Sequence, residues 1–503
     1  MTSAVSIHPE IFIRADGNAA IGFGHLMRAL AFATHAKQIT SVQLIIRNPD
    51  RIAQDACKFY GISLFDISNI QVEDEATFVG KMAGADHIVF LDGYQFSEAY
   101  QRDLKKFGSF LVCMDDHHDR LFVADCVINV AELVDPQLVK RIPNTRLVYG
   151  LKYALIRPEF SIGTDNPIRL NQAFVCFGGG AETLPLIEKT LHALLISSLD
   201  FQQVLIVLNE KLIPEVQQLH ESKFSKLPLK LLCNLSAIDI AQLMRQSKIG
   251  ICSSSTVSLE ARAVNLPIVA GYFVENQKGI YKSLLKNNEI PELGNLQEIS
   301  VELLSSAIIQ VVNHSRPNAE SVLNPNKISH NYKRLIESWF VEMKFSMRKA
   351  VSEDVDLYFN WANNEDVRQN AVSSDPIIFD NHQRWFSSRI TSQTTKLYVG
   401  LWKGSPVGQV RFDLHDNNWE IDYSVDSKYR NMGLGELLIR KGMCELLNEI
   451  QTDSTIVGLV KHQNIPSAEV FKKMHFKEGN SELRSGIELR SFTYSLSRQL
   501  LYL

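Results

Sequence analysis

The chain has 503 residues, too many for a single hydrophobic core, which predicts two or three domains. A hydrophobic content of 45%, a charged content of 21% and a net charge of −4 are those of an ordinary globular protein. They give no electrostatic case for nucleic acid or an anionic membrane as a partner. No apolar run approaches the ~20 residues a membrane-spanning helix needs, and no basic stretch leads into an apolar one at the N-terminus. The expectation is a cytoplasmic protein without membrane insertion. The seven cysteines (Cys57, Cys113, Cys126, Cys176, Cys233, Cys252 and Cys444) are dispersed without CxxC pairing, so they read as reduced thiols in strands, not as a metal or disulfide framework.

Residues 11–33 read as an apolar strand, a glycine-containing loop and a helix opening near Gly24 and His25. The free N–H groups and dipole of a helix start favour an anion, and glycine lets the backbone approach a bulky ligand. Histidine adds a proton acceptor that works near neutral pH. Arg14, Asp16, Gly22, Gly24, His25 and Arg28 therefore form the first candidate constellation, a phosphate-bearing substrate beside a general base. Further strands are predicted over 42–47, 87–92, 110–115 and 126–130, with helices near 25–38, 50–60 and 95–107. Their continuous apolar runs predict a parallel sheet covered on both faces. In such sheets the ligand lies beyond the carboxyl ends of the strands, so the strand-end residues Asp92-Gly93-Tyr94, Asp115-Asp116-His117-His118 and Asn129 are expected to rim the same crevice as His25.

A second βα series starts near Gln172. A strand ends in Gly178, Gly179 and Gly180, a helix follows from about Thr183, and strands are predicted over 204–209, 229–234, 248–255 and 267–273. Helices near 211–221, 237–246, 257–264 and 276–287 separate them. Two doubly wound halves, each opening on a glycine-rich turn, imply a bilobal unit with a nucleotide in its cleft.

From about residue 345 the pattern changes. A strand over 347–351 and helices near 353–361 and 380–390 precede strands joined by Lys403-Gly404-Ser405-Pro406 and Asp416-Asn417-Asn418, an antiparallel meander by turn chemistry. Arg430, Asn431, Gly433, Leu434 and Gly435 then join a strand to a long helix over 433–449, with a strand over 455–460 and a helix over 464–473 beyond.

The opening stretch resembles the R-x-D-x-x-x-x-x-G-x-G-H-x-x-R motif of the UDP-sugar hydrolases of pseudaminic acid biosynthesis, which are relatives of the two-lobed GT-B glycosyltransferases. The resemblance runs over about the first 330 residues. It continues through Asp92-Gly93-Tyr94, the MDD at 114–116, the YALIRPEF at 153–160, the FGGG at 177–180, the SSSTVSLE at 253–260 and the VENQ at 274–277. It implies hydrolysis of a UDP-linked 2,4-diacetamido-2,4,6-trideoxy hexose, with His25 activating the water. Backbone N–H groups at Gly178, Gly179, Ser254, Ser255 and Thr256 would receive the diphosphate. Glu260 would hold the uridine ribose, and Asn276 and Gln277 would hold sugar groups. Cys252 stands where many relatives have glycine. Asp16, Asp92 and Asp115 are base-orienting or sugar-side candidates, with helix capping as the alternative for each.

The C-terminal segment resembles the GNAT acetyltransferases. Its Arg430-to-Gly435 turn is similar to their acetyl-CoA pyrophosphate loop, and residues 461–476 are similar to their N-x-x-[SA]-x-x-x-[YF]-x-x-x-x-F helix. The likeness implies acetyl-CoA as co-substrate, Asn464 and Ser467 beside its pantetheine arm, and the Val425 N–H as an oxyanion donor. Phe471 stands where many relatives carry a proton-donating tyrosine. Glu420 and Asp422 are the base candidates, a charged outer strand face being the alternative. The HQRWF at 382–386 resembles a segment of GNATs that act on amino-sugar nucleotides.

The expected fold class is therefore α/β, with two Rossmann-like lobes (GT-B-like; 1–155 and 156–340) followed by an α+β GNAT acetyltransferase domain (345–503). The expected function is bifunctional: hydrolysis of the UDP-sugar, and acetyl-CoA-dependent N-acetylation of its UDP-4-amino precursor. No metal is expected, and the sequence sets no oligomeric state. The rival readings are a GT-B glycosyltransferase fused to a GNAT, and a sugar-nucleotide-binding regulatory module with a degenerate acetyltransferase.

Overall fold

The computed structural model describes residues 9–18, 21–117, 120–131, 139–142, 144–161, 168–178, 180–314, 321–450 and 452–497. Its chain contacts define two units. One comprises Met1–His118, Cys126–Asp135 and Leu147–Arg334, the other Asp119–Asp125, Pro136–Arg146 and Leu335–Leu503.

The first sheet is built from β1 (Ile11–Ala15), β2 (Val42–Ile46), β3 (Ser63–Asp66), β4 (Ile88–Asp92), β5 (Phe110–Met114), β6 (Cys126–Asn129) and β7 (Arg146–Tyr149). Helices α1 (Gly24–Ala36), α2 (Arg51–Tyr60), α3 (Glu75–Ala83) and α4 (Glu98–Lys105) connect its strands. Every residue of β1, β4, β5 and β6 is buried, as a sheet with helices on both faces requires. The strand order is β3-β2-β1-β4-β5-β6-β7, so the winding reverses between β1 and β4. Their parallel register sets Ala15 beside Asp92. Three elements have no counterpart in the sequence expectation. Strand β3 is half-exposed and lacks a long apolar run, β7 is four residues long, and α3 lies in the unassigned stretch after β3.

The second sheet repeats the plan with β8 (Gln172–Cys176), β9 (Gln203–Val207), β10 (Leu229–Leu232), β11 (Ile249–Ser253) and β12 (Ile268–Gly271) in the order β10-β9-β8-β11-β12. Helices α5 (Leu184–Ile196), α6 (Ile213–Leu219), α7 (Ala237–Gln246), α8 (Thr256–Ala263) and α9 (Lys278–Lys286) follow these strands in turn. Helices α10 (Val301–His314) and α11 (Pro325–Met343) come last. Here the winding reverses between β8 and β11, the two strands that carry the glycine and serine turns. In open parallel sheets a reversal of this kind leaves a crevice at the carboxyl ends.

The second unit holds a mixed sheet of β13 (Phe345–Lys349), β14 (Thr395–Trp402), β15 (Ser405–His415), β16 (Asn418–Val425), β17 (Ser454–Lys461), β18 (Lys477–Glu478), β19 (Glu482–Arg484) and β20 (Ile487–Leu496). Its helices are α12 (Val355–Ala362), α13 (Glu365–Asn370), α14 (Phe379–Ile390), α15 (Leu434–Ile450) and α16 (Ile465–Lys473). The expected meander is present. Lys403 and Gly404 (φ 51° and 78°) and Asp416 and Asn417 (φ 46° and 70°) make tight turns whose paired positive φ values suit the twist of the strands they join. The sequence reading left out α13 and the β18–β20 hairpin system, where charged residues interrupt the apolar alternation.

Strands β16 and β17 run parallel and pair only from Asn418↔Thr455 to Ile421↔Gly458, although both continue further. From Asp422 onward they part. Below that point Phe471 fills the core, stacked on Phe492 and edge-on to Phe476. A Cβ on Gly458 would lie 2.5 Å from the Phe471 ring. Gly458→Ala is therefore expected to destabilise this unit by about 1–3 kcal/mol, read as a lower urea midpoint at unchanged slope.

Candidate functional sites

At the end of β1 the chain turns through Gly22, whose φ of 86° is left-handed and whose N–H closes the loop on the Asn18 carbonyl at 2.9 Å. Helix α1 then opens at Gly24 without a side-chain cap, and among the described residues nothing lies within 4 Å of where a Gly24 Cβ would be. Space and free N–H groups coincide there. His25 Nδ1 lies 2.8 Å from Oδ1 of Asp92, which is fully buried at the end of β4. A carboxylate accepts, so this contact favours the tautomer with its proton on Nδ1 and leaves the Nε2 lone pair available. Arg28, one turn along α1, holds both Asp92 oxygens (Nε 2.7 Å, Nη2 2.5 Å) and reaches Asp116 at 2.8 Å. Burial works against a charge on Asp92, but Arg28 and then His25 more than offset it and hold the carboxyl below its ordinary range. Tyr94 packs edge-on against His25 with ring centres 4.6 Å apart.

Four of the expected residues, His25, Arg28, Asp92 and Tyr94, thus meet in one place. Of the three candidate carboxylates Asp16, Asp92 and Asp115, it is Asp92 that contacts His25, whereas Asp16 is engaged elsewhere. Arg14 grips both Asp16 oxygens at 2.5 and 2.8 Å, and the Arg47 N–H and Gln95 Nε2 donate to the same carboxylate. Arg14 also donates to Glu75, which accepts from Arg47 and Tyr100 as well. This network ties β1 to α3 and α4 behind the loop. Asp115 is buried and accepts the His117 N–H at 3.0 Å. Asp116, expected at the rim of this crevice from its place at a strand end but given no role of its own, is the residue that Arg28 reaches.

In the second lobe Gly178 adopts φ 106° with open space at its Cβ position, and Gly179 lies outside the described residues. Strand β11 runs through Ser253 into Ser254 and Ser255 and on to α8, which begins at Thr256 without a side-chain cap. Ser253 Oγ reaches the Phe177 carbonyl at 3.4 Å and Ser255 Oγ at 3.0 Å, which joins the two turns. Ser254 is fully buried and its Oγ has no hydrogen-bond partner among the described residues, a donor left over at the helix start. Glu260, expected on a ribose, is buried and paired with Arg157 at 2.5 and 2.9 Å. Burial pushes the Glu260 carboxyl above its ordinary range, with Arg157 working against that. Arg157 comes from the R-P-E-F segment, within which the sequence reading gave it no role of its own. Of the remaining pair, Asn276 is exposed, whereas Gln277 is buried and accepts the Phe273 N–H at 3.1 Å.

In the second unit a pocket of about 1080 Å³ opens where β16 and β17 part. Glu420, Asp422, Val425, Arg430, Asn431, Gly433, Leu434, Gly435, Asn464 and Ser467 all line it. The turn before α15 has Asn431 at φ 64° and Gly433 at φ 77°, with nothing near the Gly433 Cβ position. Alternating backbone of this kind presents successive N–H groups to a diphosphate, so the turn fits acetyl-CoA. The Arg430 side chain braces the turn instead of pointing to a phosphate. It donates to Asp366, to Asn364 at 2.8 Å and to the Val425 carbonyl at 3.4 Å. Asn464 caps α16 by accepting the Ser467 N–H. Both base candidates carry guanidinium partners, Arg484 on Glu420 at 2.6 Å and Arg411 on Asp422 at 3.3 Å. Among the described residues no group of three or more histidine, cysteine or acidic side chains is arranged to hold a metal ion, and no helix is long and apolar enough to cross a membrane.

Residues 344–477 match the model of the acetyltransferase (GNAT) domain. The chain therefore joins a GNAT acetyltransferase domain, in its C-terminal part, to a region with partial homology to a UDP-sugar hydrolase. That hydrolase, the UDP-2,4-diacetamido-2,4,6-trideoxy-beta-L-altropyranose hydrolase of Campylobacter jejuni, is 25% identical over 289 residues, covering 55% of this chain and 96% of its own length. An uncharacterized protein of Methanocaldococcus jannaschii is 22% identical over 397 residues, 76% of this chain and 78% of that one. Among solved structures, the spermidine N-acetyltransferase of Vibrio cholerae with CoA and spermine overlays 31% of this chain and 98% of its own, at 14% identity and a TM-score of 0.29. An aminoglycoside acetyltransferase in complex with coenzyme A overlays 31% of this chain and 96% of its own, at 15% identity and a TM-score of 0.28.

Proposed function

We propose that the chain carries two consecutive activities on one UDP-linked sugar. Residues 345–503 transfer acetyl from acetyl-CoA to the 4-amino group of a UDP-linked amino sugar. Residues 1–155 and 156–340 then hydrolyse the resulting UDP-2,4-diacetamido-2,4,6-trideoxy hexose to free sugar and UDP, as in a cytoplasmic nonulosonate route such as that to pseudaminic acid. The observation that carries the hydrolytic half is the hydrogen-bonded pair of His25 and Asp92 beside an uncapped helix start. His25 Nε2 takes a proton from water as the oxygen attacks the anomeric carbon, and the bond from that carbon to the diphosphate oxygen breaks. Asp92 steadies the imidazolium that forms. Donors at Gly178, Gly179, Ser254, Ser255 and Thr256 receive the diphosphate, the spare Ser254 hydroxyl among them, and Glu260 with Arg157 faces the nucleoside.

The acetylating half rests on the pocket at the parted strands and on the turn that opens α15. A neutral amine attacks the thioester carbonyl, and the Val425 N–H stabilises the oxyanion. Glu420 and Asp422, each beside an arginine, orient the ammonium and take its proton. The test supplies acetyl-CoA and the UDP-4-amino sugar together and records free CoA and free UDP separately. CoA is expected first, with UDP following only when acetyl-CoA is present. Release of UDP without acetyl-CoA would break the proposed order, and absence of both products would leave a binding module.

A further inference from the structure

Aminolysis of a thioester expels a thiolate, which needs a proton. On α16 the position facing the parted strands is Phe471, whose ring is buried in the core and has no proton to give. Among the hydroxyls that line the pocket there, that of Tyr423 lies on β16, two residues past the last β16–β17 pair. Its Oη shares a 3.1 Å hydrogen bond with Ser467 Oγ in the first turn of α16. Its ring lies edge-on to Phe471, with centres 6.0 Å apart. Across from it, the Cβ position of Gly435, in the first turn of α15, is 3.3 Å from the Tyr423 ring and 3.9 Å from its hydroxyl. The same Gly435 position is 3.9 Å from a Val425 methyl group. Tyr423 and Val425, spaced by two on one strand, therefore share a face, and Tyr423 reaches Ser467, the residue placed beside the pantetheine arm.

We propose that Tyr423 is the proton donor to the departing CoA sulfur, and that Ser467 positions its hydroxyl. This rests on the acetyltransfer reading above. As the tetrahedral adduct collapses, the C–S bond breaks with its electron pair on sulfur and the phenolic proton passes to it. The C–N bond remains, and the proton shed by the attacking nitrogen restores the phenol through water. Burial pushes the Tyr423 hydroxyl up to about 12, against the effect of the Ser467 hydrogen bond, so it enters the step protonated at neutral pH. The device also accounts for a phenylalanine at position 471. The hydroxyl comes from the neighbouring strand, and the helix contributes the serine that aims it.

The test uses full-length Tyr423→Phe with the UDP-4-amino sugar as acceptor and two acetyl donors, acetyl-CoA and the acetyl thioester of 4-nitrothiophenol, whose thiolate leaves without a proton. With acetyl-CoA, kcat is expected to fall about 10²-fold while KM for acetyl-CoA holds. With the nitroaryl donor the variant should keep the wild-type rate. Ser467→Ala should show a smaller loss, again confined to acetyl-CoA, and it carries the same comparison if Tyr423→Phe misfolds. Equal losses with both donors would reduce Tyr423 to a structural role, and no loss with acetyl-CoA would remove it from the step. Wild-type protein that releases no CoA would overturn the acetyltransfer reading itself, before any variant is compared, and this proposal with it.

Discussion

Replacing His25 with alanine is expected to cut UDP release from the UDP-linked diacetamido sugar by about 10³–10⁴-fold, near the upper end for loss of a general base. CoA release with the UDP-4-amino sugar should be unchanged. The size follows from the surroundings of the imidazole. Its Nδ1 side is fixed by a fully buried carboxylate, and one face is covered by Tyr94. Alanine removes the proton acceptor and leaves α1 intact, because the residue contributes no cap and its ring is partly exposed. The fall should lie in kcat, with KM nearly constant, since the donors assigned to the diphosphate are in the second lobe. UDP release that persisted in the alanine variant would end the general-base assignment.

Asp92→Asn should be nearly as damaging to turnover and should cost stability as well. An amide at that position presents either a donor or an acceptor to His25 and no longer selects the tautomer. Loss of the carboxylate from such a pair typically costs about 10⁴-fold in kcat. The second effect comes from Arg28, which loses the countercharge and one of the two oxygens it holds at position 92, and keeps Asp116 and a 3.3 Å approach to His25 Nδ1. Breaking a buried pair by removing one partner costs about 3–5 kcal/mol, and the surviving Asp116 contact places this case at about 3. The pH signature has a definite sign. Folding holds the Asp92 carboxyl below its ordinary range, so its contribution to stability is complete above the unfolded value of about 3.9 and is lost as pH falls through the lower, folded value. Urea denaturation should show wild type and variant converging in acid and separating by pH 6. A constant difference across that range would mean that the pair is not what stabilises the lobe.

The parts of this architecture that were legible in the sequence are those written in local pattern. Ile11 to Ala15, a glycine loop and His25 at a helix start are contiguous, and so is the turn from Arg430 to Gly435. What the sequence withheld is which distant side chain completes each cluster. Asp16, Asp92 and Asp115 all stand at strand ends, and composition could not rank them as partners for His25. The ranking comes from strand order, which puts β4 next to β1, and from Arg14 and Arg47, which draw Asp16 away. Arg157 reaches Glu260 across 103 positions of sequence, an ion pair that no motif spacing announces. Tyr423 was visible as one residue of an alternating strand. Its distinction lies in the parting of β16 from β17 and in a serine 44 residues on. Alternation sets the face a residue occupies, but not whether its neighbour strand is still there.

The reversal of winding between β1 and β4 also bears on how the first lobe comes to life. His25 and Asp92 are 67 residues apart, and the chain between them holds β2, α2, β3 and α3, so pairing β1 with β4 closes a long loop. Closing so long a loop is slow compared with forming any one helix. Helix α1 can therefore be present while the imidazole still lacks its carboxylate. The His25–Asp92 pair is complete only once β1 and β4 lie side by side, so a chain in which that pairing has not formed would carry the glycine loop with an imidazole that lacks its carboxylate.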